Sequence, residues 1–178
     1  MSLLLNKPKV KRRVFFSFHF KNDFWRTQQV RNIGTIEGNS VVSKNDWEEV
    51  KKKGEDSIKK WIDSNLVWKS CLVVLIGEET AGRKWIKYEI EQAWNSGKGV
   101  VGIRIHNLED QDGNQSKIGG DPFSTFTLCD GKIKLSNIVK IKNPPQSTGK
   151  GVYNHISENL VDWIEEAIKI QAEFECPK

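Results

Sequence analysis

Hydrophobic residues fall along this chain in short continuous runs that alternate with segments of helical spacing. Three runs, at residues 14–20, 72–76 and 100–105, are rich in aromatic or β-branched side chains and are too short for buried helices. Continuous apolar runs of this length are typical of strands that are buried on both faces of a parallel sheet. The pattern therefore predicts a sheet with helices packed on both sides.

Apolar side chains recur at intervals of three and four residues in three other segments, 47–66, 85–94 and 156–168. These segments are predicted to be helices, the first of them disturbed at Gly54, and residues 24–32 form a further predicted helix. Two weaker strands are predicted between residues 33 and 42, as a sheet edge, and at 138–141. Prolines and glycines at 144–151 predict a break before the last helix.

This alternation predicts an α/β fold, a flavodoxin-like doubly wound parallel sheet of about five strands. Residues 14–178 would form one domain, preceded by a basic flexible N-terminus at 1–13. The polar, glycine-bearing stretch 106–137 is long for a connection and is expected to be a functional lid or a disordered loop. The predicted ligand crevice lies where the first and third strands end, with His19 and Asp23 on one side and Gly77 with residues 85–89 on the other.

Composition narrows the function classes. The net charge of +5 permits weak attraction to nucleic acid, but the 28 basic residues are spread among 23 acidic ones, so no specific nucleic-acid groove is expected. No apolar run reaches the ~20 residues of a membrane helix. The three cysteines are far apart, and neither they nor the three histidines show ligand spacing, so we expect no disulfide and no metal site. A reducing cytoplasm without export is the expected location.

Residues 77–84, GEETAGRK, nearly match a phosphate-binding loop. Arg83 replaces the lysine and Lys84 replaces the hydroxyl residue that binds magnesium, while two glutamates would repel a triphosphate. A nucleoside triphosphatase is therefore excluded, although a helix N-terminus beside Arg83 can hold a diphosphate weakly.

Several motifs together resemble the bacterial TIR-like family of Thoeris anti-phage defence. They are VFFSFHF, LVVLIGEET, RKWIKYEI, and the downstream DGN and GGDPF elements, and the similarity extends over residues 14–123. The resemblance implies the TIR fold and the cleavage of NAD⁺ into a cyclic or otherwise modified ADP-ribose. It also implies that this signal activates a separate effector, and that a phage-derived trigger and a homo-oligomer belong among the partners. NAD⁺ would be the substrate, with no additional cofactor.

The resemblance also assigns site residues. The catalytic glutamate of the WxxxE segment matches Glu89, with Trp85 four residues before it. The family region that lines the nucleotide crevice corresponds to Phe18, His19 and Asp23. Gly77, Arg83 and Trp85 complete the expected substrate-binding set. The chain departs from the family at residues 42–45, where Ser43 stands in a region that tends to be acidic, so substrate positioning or product type can differ.

The chemistry needs few groups. Nicotinamide begins as a pyridinium cation and leaves neutral, so one carboxylate that stabilises the oxocarbenium-like centre suffices. We expect Glu89 to be ionised at neutral pH, with Arg83 or Lys87 offsetting its burial beside Trp85. The alternative is a non-catalytic TIR interaction and assembly module in which Glu89 is a surface charge. A phosphoacceptor receiver domain is less favoured, because Gly77 and His106 rather than acidic residues follow the central strands.

Overall fold

The computed structural model describes residues 11–38 and 44–178, and within them six strands and five α-helices. The strands are β1 (Val14–Ser17), β2 (Cys71–Ile76), β3 (Gly99–Arg104), β4 (Thr127–Leu128), β5 (Ile133–Lys134) and β6 (Lys140–Lys142). The helices are α1 (Phe20–Arg31), α2 (Lys44–Lys52), α3 (Glu55–Leu66), α4 (Lys84–Asn95) and α5 (Gly149–Glu173). A short 3₁₀ helix at Leu135–Asn137 precedes β6.

The main sheet is parallel and has the strand order β1-β2-β3-β6, while β4 and β5 form a separate antiparallel pair. The α/β class and the parallel sheet are therefore confirmed. The described residues hold four main-sheet strands where the sequence predicted about five. A parallel bridge joins Arg13 to Glu37, which lies within residues 33–42, where the sequence predicted an edge strand. Apart from this bridge, residues 33–38 form no strand, while residues 39–42 and Ser43 lie outside the described residues.

Helices cover both faces of the sheet, as predicted. Alternate strand residues belong to opposite core clusters: Val14 and Phe16 pack with α1 and α5, whereas Phe15 packs with α3 and α4. All six residues of β2 are fully buried, which explains their unbroken apolar pattern. Ser17 follows Phe15 by two residues and therefore points to the α4 side.

The helix boundaries follow local backbone chemistry. The long segment predicted at 47–66 divides into α2 and α3 at Gly54, whose φ of +95° is readily adopted only by glycine. The predicted break before the last helix is present at residues 143–148, which include Pro144 and Pro145, but Gly149 and Gly151 are helical because α5 begins at Gly149. The Thr148 side chain accepts a hydrogen bond from the Gly151 backbone N–H at 3.1 Å and caps the first turn.

The stretch 106–137 is folded onto the sheet by backbone hydrogen bonds and apolar anchors. Ser116 N–H donates to the His106 carbonyl at 2.8 Å, and Phe123 and Leu135 are buried in the cluster on the α4 side. Gly102 of β3 leaves room for the Phe123 ring, because a Cβ there would lie 2.9 Å from it. The segment is a structured connection, and its role as a lid stays a prediction.

Cys129 and Cys176 form a disulfide with a Cα–Cα distance of 5.5 Å, so the expectation of no disulfide is wrong. The pairing escaped the sequence because 47 residues separate the two cysteines and only the tertiary fold brings them together. The chain after α5 returns across α4, where the Phe174 ring meets that of Trp94 at 5.4 Å. The cysteines therefore no longer support the prediction of a reducing compartment. Among the described residues, no helix has both the length and the apolar character needed to cross a bilayer.

Reducing this bond should lower thermal stability. Closing a loop of this length removes conformational entropy from the unfolded chain, and a stabilisation of about 2–4 kcal/mol is typical. We expect the melting temperature, followed by circular dichroism, to fall in dithiothreitol. The Cys129→Ser/Cys176→Ser double variant should melt at the lower temperature with or without reductant. An unreduced protein that shows three free thiols by mass spectrometry after alkylation would contradict the pairing.

Candidate functional site

The predicted crevice is present as a topological switch point. Strands β1 and β2 are neighbours in the sheet, but α1 follows β1 onto one face and α4 follows β2 onto the other. Ligands of open α/β sheets bind where two such helices diverge, at the carboxyl ends of the strands. The backbone thus brings residues 17–23 and 77–89 together.

Glu89 lies on the sheet-facing side of α4 and is only 7% exposed. Ser17, the last residue of β1, donates a hydrogen bond from its hydroxyl to Oε2 of Glu89. Burial raises the pKa of Glu89 to about 8, and the Ser17 hydrogen bond opposes that increase without cancelling it. Most Glu89 side chains are therefore protonated at pH 7.

The expectation that Glu89 is ionised at neutral pH is consequently wrong. It assumed that Arg83 or Lys87 would compensate for burial. Arg83 instead points towards Glu79, donating from Nη2 to Oε2 at 2.9 Å, and the group that opposes the pKa shift of Glu89 is an uncharged hydroxyl. The sequence offered one signal for Ser17, a small polar residue inside an otherwise aromatic strand.

Asp23 and Gly77 meet across the crevice, as the sequence predicted. A Cβ atom at Gly77 would lie 2.1 Å from Oδ2 of Asp23, so this contact requires glycine. A Cβ at Gly119 would lie 2.0 Å from the Gly77 carbonyl oxygen, so the 106–137 segment also approaches closely. The pKa of Asp23 is raised to about 6 because the group is buried, and the nearby charge of Arg26 opposes part of that increase.

Sequence reasoning missed Arg26, which joins α1 to the segment after β3. Arg26 is buried and lies three residues after Asp23 on the same helix. Its Nη1 is 3.3 Å from Oδ1 of Asp23, so the two side chains form an ion pair. Its Nε donates to the Leu108 carbonyl at 2.9 Å and its Nη2 to the Asn114 carbonyl at 2.8 Å. The available signal was the spacing of three residues between Asp23 and Arg26, which places opposite charges side by side on a helix.

Glu79 links the two sides of the crevice. Its carboxylate accepts hydrogen bonds from Arg83 and from Asn22 of α1, each at 2.9 Å, and Nδ1 of His19 lies 3.9 Å away. Burial is the main cause that lowers the pKa of His19, followed by the charge of Arg83, so its imidazole is neutral at pH 7. His19 and Arg83 therefore both lie beside the Glu79 carboxylate.

Phe18 and Trp85, two of the predicted substrate-binding residues, pack away from the polar residues that surround Glu79 and Glu89. Phe18 belongs to the cluster on the α1 side, where its ring stacks on Phe20 at 5.9 Å, so it faces away from Glu89. Trp85 lies one turn before Glu89 and meets Tyr88 edge to face at 6.1 Å. It borders a shallow cleft between α3 and α4, into which Lys59 also projects.

A second cleft, of about 590 Å³, opens beside the crevice and has a polar lining of both charges. Its residues are Asn22, Arg26, Glu78, Asp110, Gln115, Ser116 and Lys117. Glu89 is not among them, because its carboxylate lies beneath the surface. Throughout residues 11–38 and 44–178, no three histidine, cysteine, aspartate or glutamate side chains are grouped as metal ligands.

A doubly wound parallel sheet with a buried glutamate at its switch point fits the class of TIR-like domains. Residues 15–110, just over half of the chain, match the family model described as "Thoeris protein ThsB, TIR-like domain". The chain belongs to this family, which confirms the resemblance seen in the sequence. The matched range includes Ser17, Asp23, Gly77 and Glu89.

One protein of similar sequence carries a name that can be compared with this fold. The chain is 36% identical over 118 residues to a protein of Bacillus cereus (strain MSX-D12) named "Putative cyclic ADP-D-ribose synthase ThsB1". The alignment covers 63% of this chain and 61% of that protein, so it spans less than two thirds of either.

The buried state of Glu89 predicts a pH-dependent stability difference. Between the ordinary pKa of 4.5 and the folded value of about 8, the folded protein keeps a proton that the unfolded chain has lost. The free energy of unfolding therefore decreases as pH rises through this window and levels off above it. Glu89→Gln removes this dependence, so its stability relative to wild type should increase by up to about 4 kcal/mol between pH 4.5 and 8.5.

Urea titrations of both proteins at several pH values measure that difference. The contribution of Asp23 is common to both proteins and cancels. A stability difference that stays constant with pH would show that Glu89 is not buried as described.

Arg26→Lys should loosen the connection between α1 and the segment 106–117. One ammonium group cannot reach all the acceptors of the guanidinium, so buried carbonyls lose their donor, at a cost of about 2–4 kcal/mol. Hydrogen exchange in residues 106–117 should accelerate. The matched control is Arg13→Lys, an exposed ion pair with Glu37, which should change little. Unchanged exchange in Arg26→Lys would contradict the bridging role.

Proposed function

We propose that this protein cleaves the nicotinamide–ribose bond of NAD⁺ and converts the ADP-ribosyl group into a cyclic or otherwise modified messenger. The observation that carries the proposal is the buried Glu89, hydrogen-bonded to Ser17 at the switch point of the sheet. Membership of the Thoeris ThsB family and the name of the Bacillus relative support it. The messenger would act on a separate effector after a phage-derived trigger.

The chemical step requires one anionic group. When the bond between C1′ of the ribose and the nicotinamide nitrogen breaks, the bonding electrons stay on nitrogen and nicotinamide leaves neutral. Positive charge develops on the ribose, and the Glu89 carboxylate stabilises it. A nucleophile then bonds to C1′ and releases its proton. Water gives ADP-ribose, whereas a nucleophilic group of the ADP-ribosyl moiety itself gives a cyclic product.

The substrate helps to ionise Glu89. The pyridinium ring of NAD⁺ brings a positive charge to a carboxyl group whose pKa is raised by burial, and an opposite charge favours the ionised form. The free protein would thus hold Glu89 largely neutral until the substrate binds. Arg83 and His19, on either side of Glu79, are the groups proposed to meet the diphosphate and sugar of the substrate.

Incubation with NAD⁺, followed by mass spectrometry of the nucleotides, tests the proposal. Wild type should release nicotinamide and an ADP-ribose product, while Glu89→Gln should lose at least about a hundredfold in rate, the scale for removing one electrostatic group. Glu91→Gln on the exposed side of the same helix is the matched control and should remain active. Equal release by wild type and Glu89→Gln would overturn the proposal.

The burial of Glu89 also favours a second candidate, a TIR module that acts by assembly without catalysis. A carboxylate that is 7% exposed must become accessible before it can touch a substrate. Self-association could supply that change, so the assay is run over a range of protein concentrations and with crowding agents. Nicotinamide release that increases faster than protein concentration supports an enzyme completed by assembly. Assembly without release at any concentration supports the module.

A further inference from the structure

Ser17 occupies a position whose backbone is fixed by the pairing of β1 with β2. It lies opposite Val74 in the parallel pairing of β1 with β2, and it is 1% exposed. The three residues before it in β1 are fully apolar. A hydroxyl in such a strand is costly unless it is hydrogen-bonded, and its partner here is the Glu89 carboxyl group.

The carboxyl group is held from the other side by α4. Ile86 and Ile90, which flank Glu89 on the helix, are 5% and 0% exposed and pack in the same cluster as Phe15 and Val74. The helix therefore fixes the backbone of Glu89 but does not by itself fix the torsion angles of the Glu89 side chain. The Ser17 hydroxyl supplies a hydrogen-bond donor from a rigid strand.

We propose that Ser17 is a positioning residue, whose hydroxyl orients the Glu89 carboxylate towards the carboxyl end of β1 and stabilises its ionised form. This inference rests on the proposed function, because it concerns the same carboxylate. A hydroxyl that donates to a carboxylate stabilises the charged state more than the neutral one. Its removal should therefore make Glu89 harder to ionise.

The pH dependence of kcat/KM for nicotinamide release tests the role, since it reports ionisation in the free enzyme. In Ser17→Ala the acid limb of the profile should move to higher pH by about one unit. At pH values below the midpoint, kcat/KM should then be about tenfold lower than in wild type. The rate should approach that of wild type at high pH. Ser17→Thr keeps the hydroxyl and should restore much of the neutral-pH rate.

Thr27→Val is the matched control. Thr27 is also fully buried, and its hydroxyl has no hydrogen-bond partner within the described residues, so its removal should leave the pH profile unchanged. If Ser17→Ala does not fold, Ser17→Cys replaces it, because a thiol of similar size is a weaker donor and should shift the limb in the same direction. A loss of rate that is equal at every pH, or an unshifted limb, would overturn the proposal.

A second measurement separates this proposal from the proposed function. The Glu89 side-chain carbon, labelled with ¹³C and assigned by its disappearance in Glu89→Gln, can be titrated by NMR without any substrate. A higher titration midpoint in Ser17→Ala supports the role of Ser17 even if the protein releases no nicotinamide, in which case the proposed function alone fails. Identical midpoints in wild type and Ser17→Ala overturn the role of Ser17 even if the protein is an active enzyme.

Discussion

Burial of one carboxyl group at the carboxyl edge of a parallel sheet constrains the rest of this structure. Glu89 can lie beneath the surface only because α4 packs against β2 and β3 and because β1 ends with a hydroxyl that donates to it. Desolvation makes the group a weak acid, with a pKa raised to about 8. The same burial that costs stability at high pH keeps water away from the carboxyl group, in surroundings where electrostatic interactions are strong.

A second set of contacts holds together the two sides of the crevice near Glu89. Asp23 fills the space that a side chain at Gly77 would need, and Arg26 carries the connection from Asp23 to the carbonyls of the segment after β3. Glu79 joins α1 to the start of α4 through Asn22 and Arg83. The two sides of the switch point are therefore in contact through these hydrogen bonds.

Family membership and geometry contribute different parts of the functional argument. The Thoeris ThsB match identifies the kind of domain, whereas the geometry shows that the Ser17 hydroxyl donates to the buried carboxyl group that we propose to be catalytic. A neutral Glu89 in the free protein has a functional consequence under the proposed mechanism. The cationic substrate would favour the active ionised state only when it is bound, which would couple recognition of the pyridinium ring to catalysis.

The sequence alone determined the α/β class and most elements of the main sheet and its helices, but not the β4–β5 pair. Short continuous apolar runs favour strands buried on two faces, and amphipathic helices between them can bury their apolar sides on those faces. The doubly wound sheet and the crevice near Asp23, Gly77 and Glu89 could therefore be predicted. Gly54 was recognised as a disturbance because its backbone freedom is a local property.

Only the tertiary structure decided which distant groups meet. The pairing of Cys129 with Cys176, the bridge from Arg26 to Leu108 and the hydrogen bond from Ser17 to Glu89 all join residues far apart in sequence. The protonation of Glu89 was predicted wrongly for the same reason. A pKa depends on burial and on neighbours in space, and Arg83, which is near Glu89 in sequence, pairs with Glu79 instead.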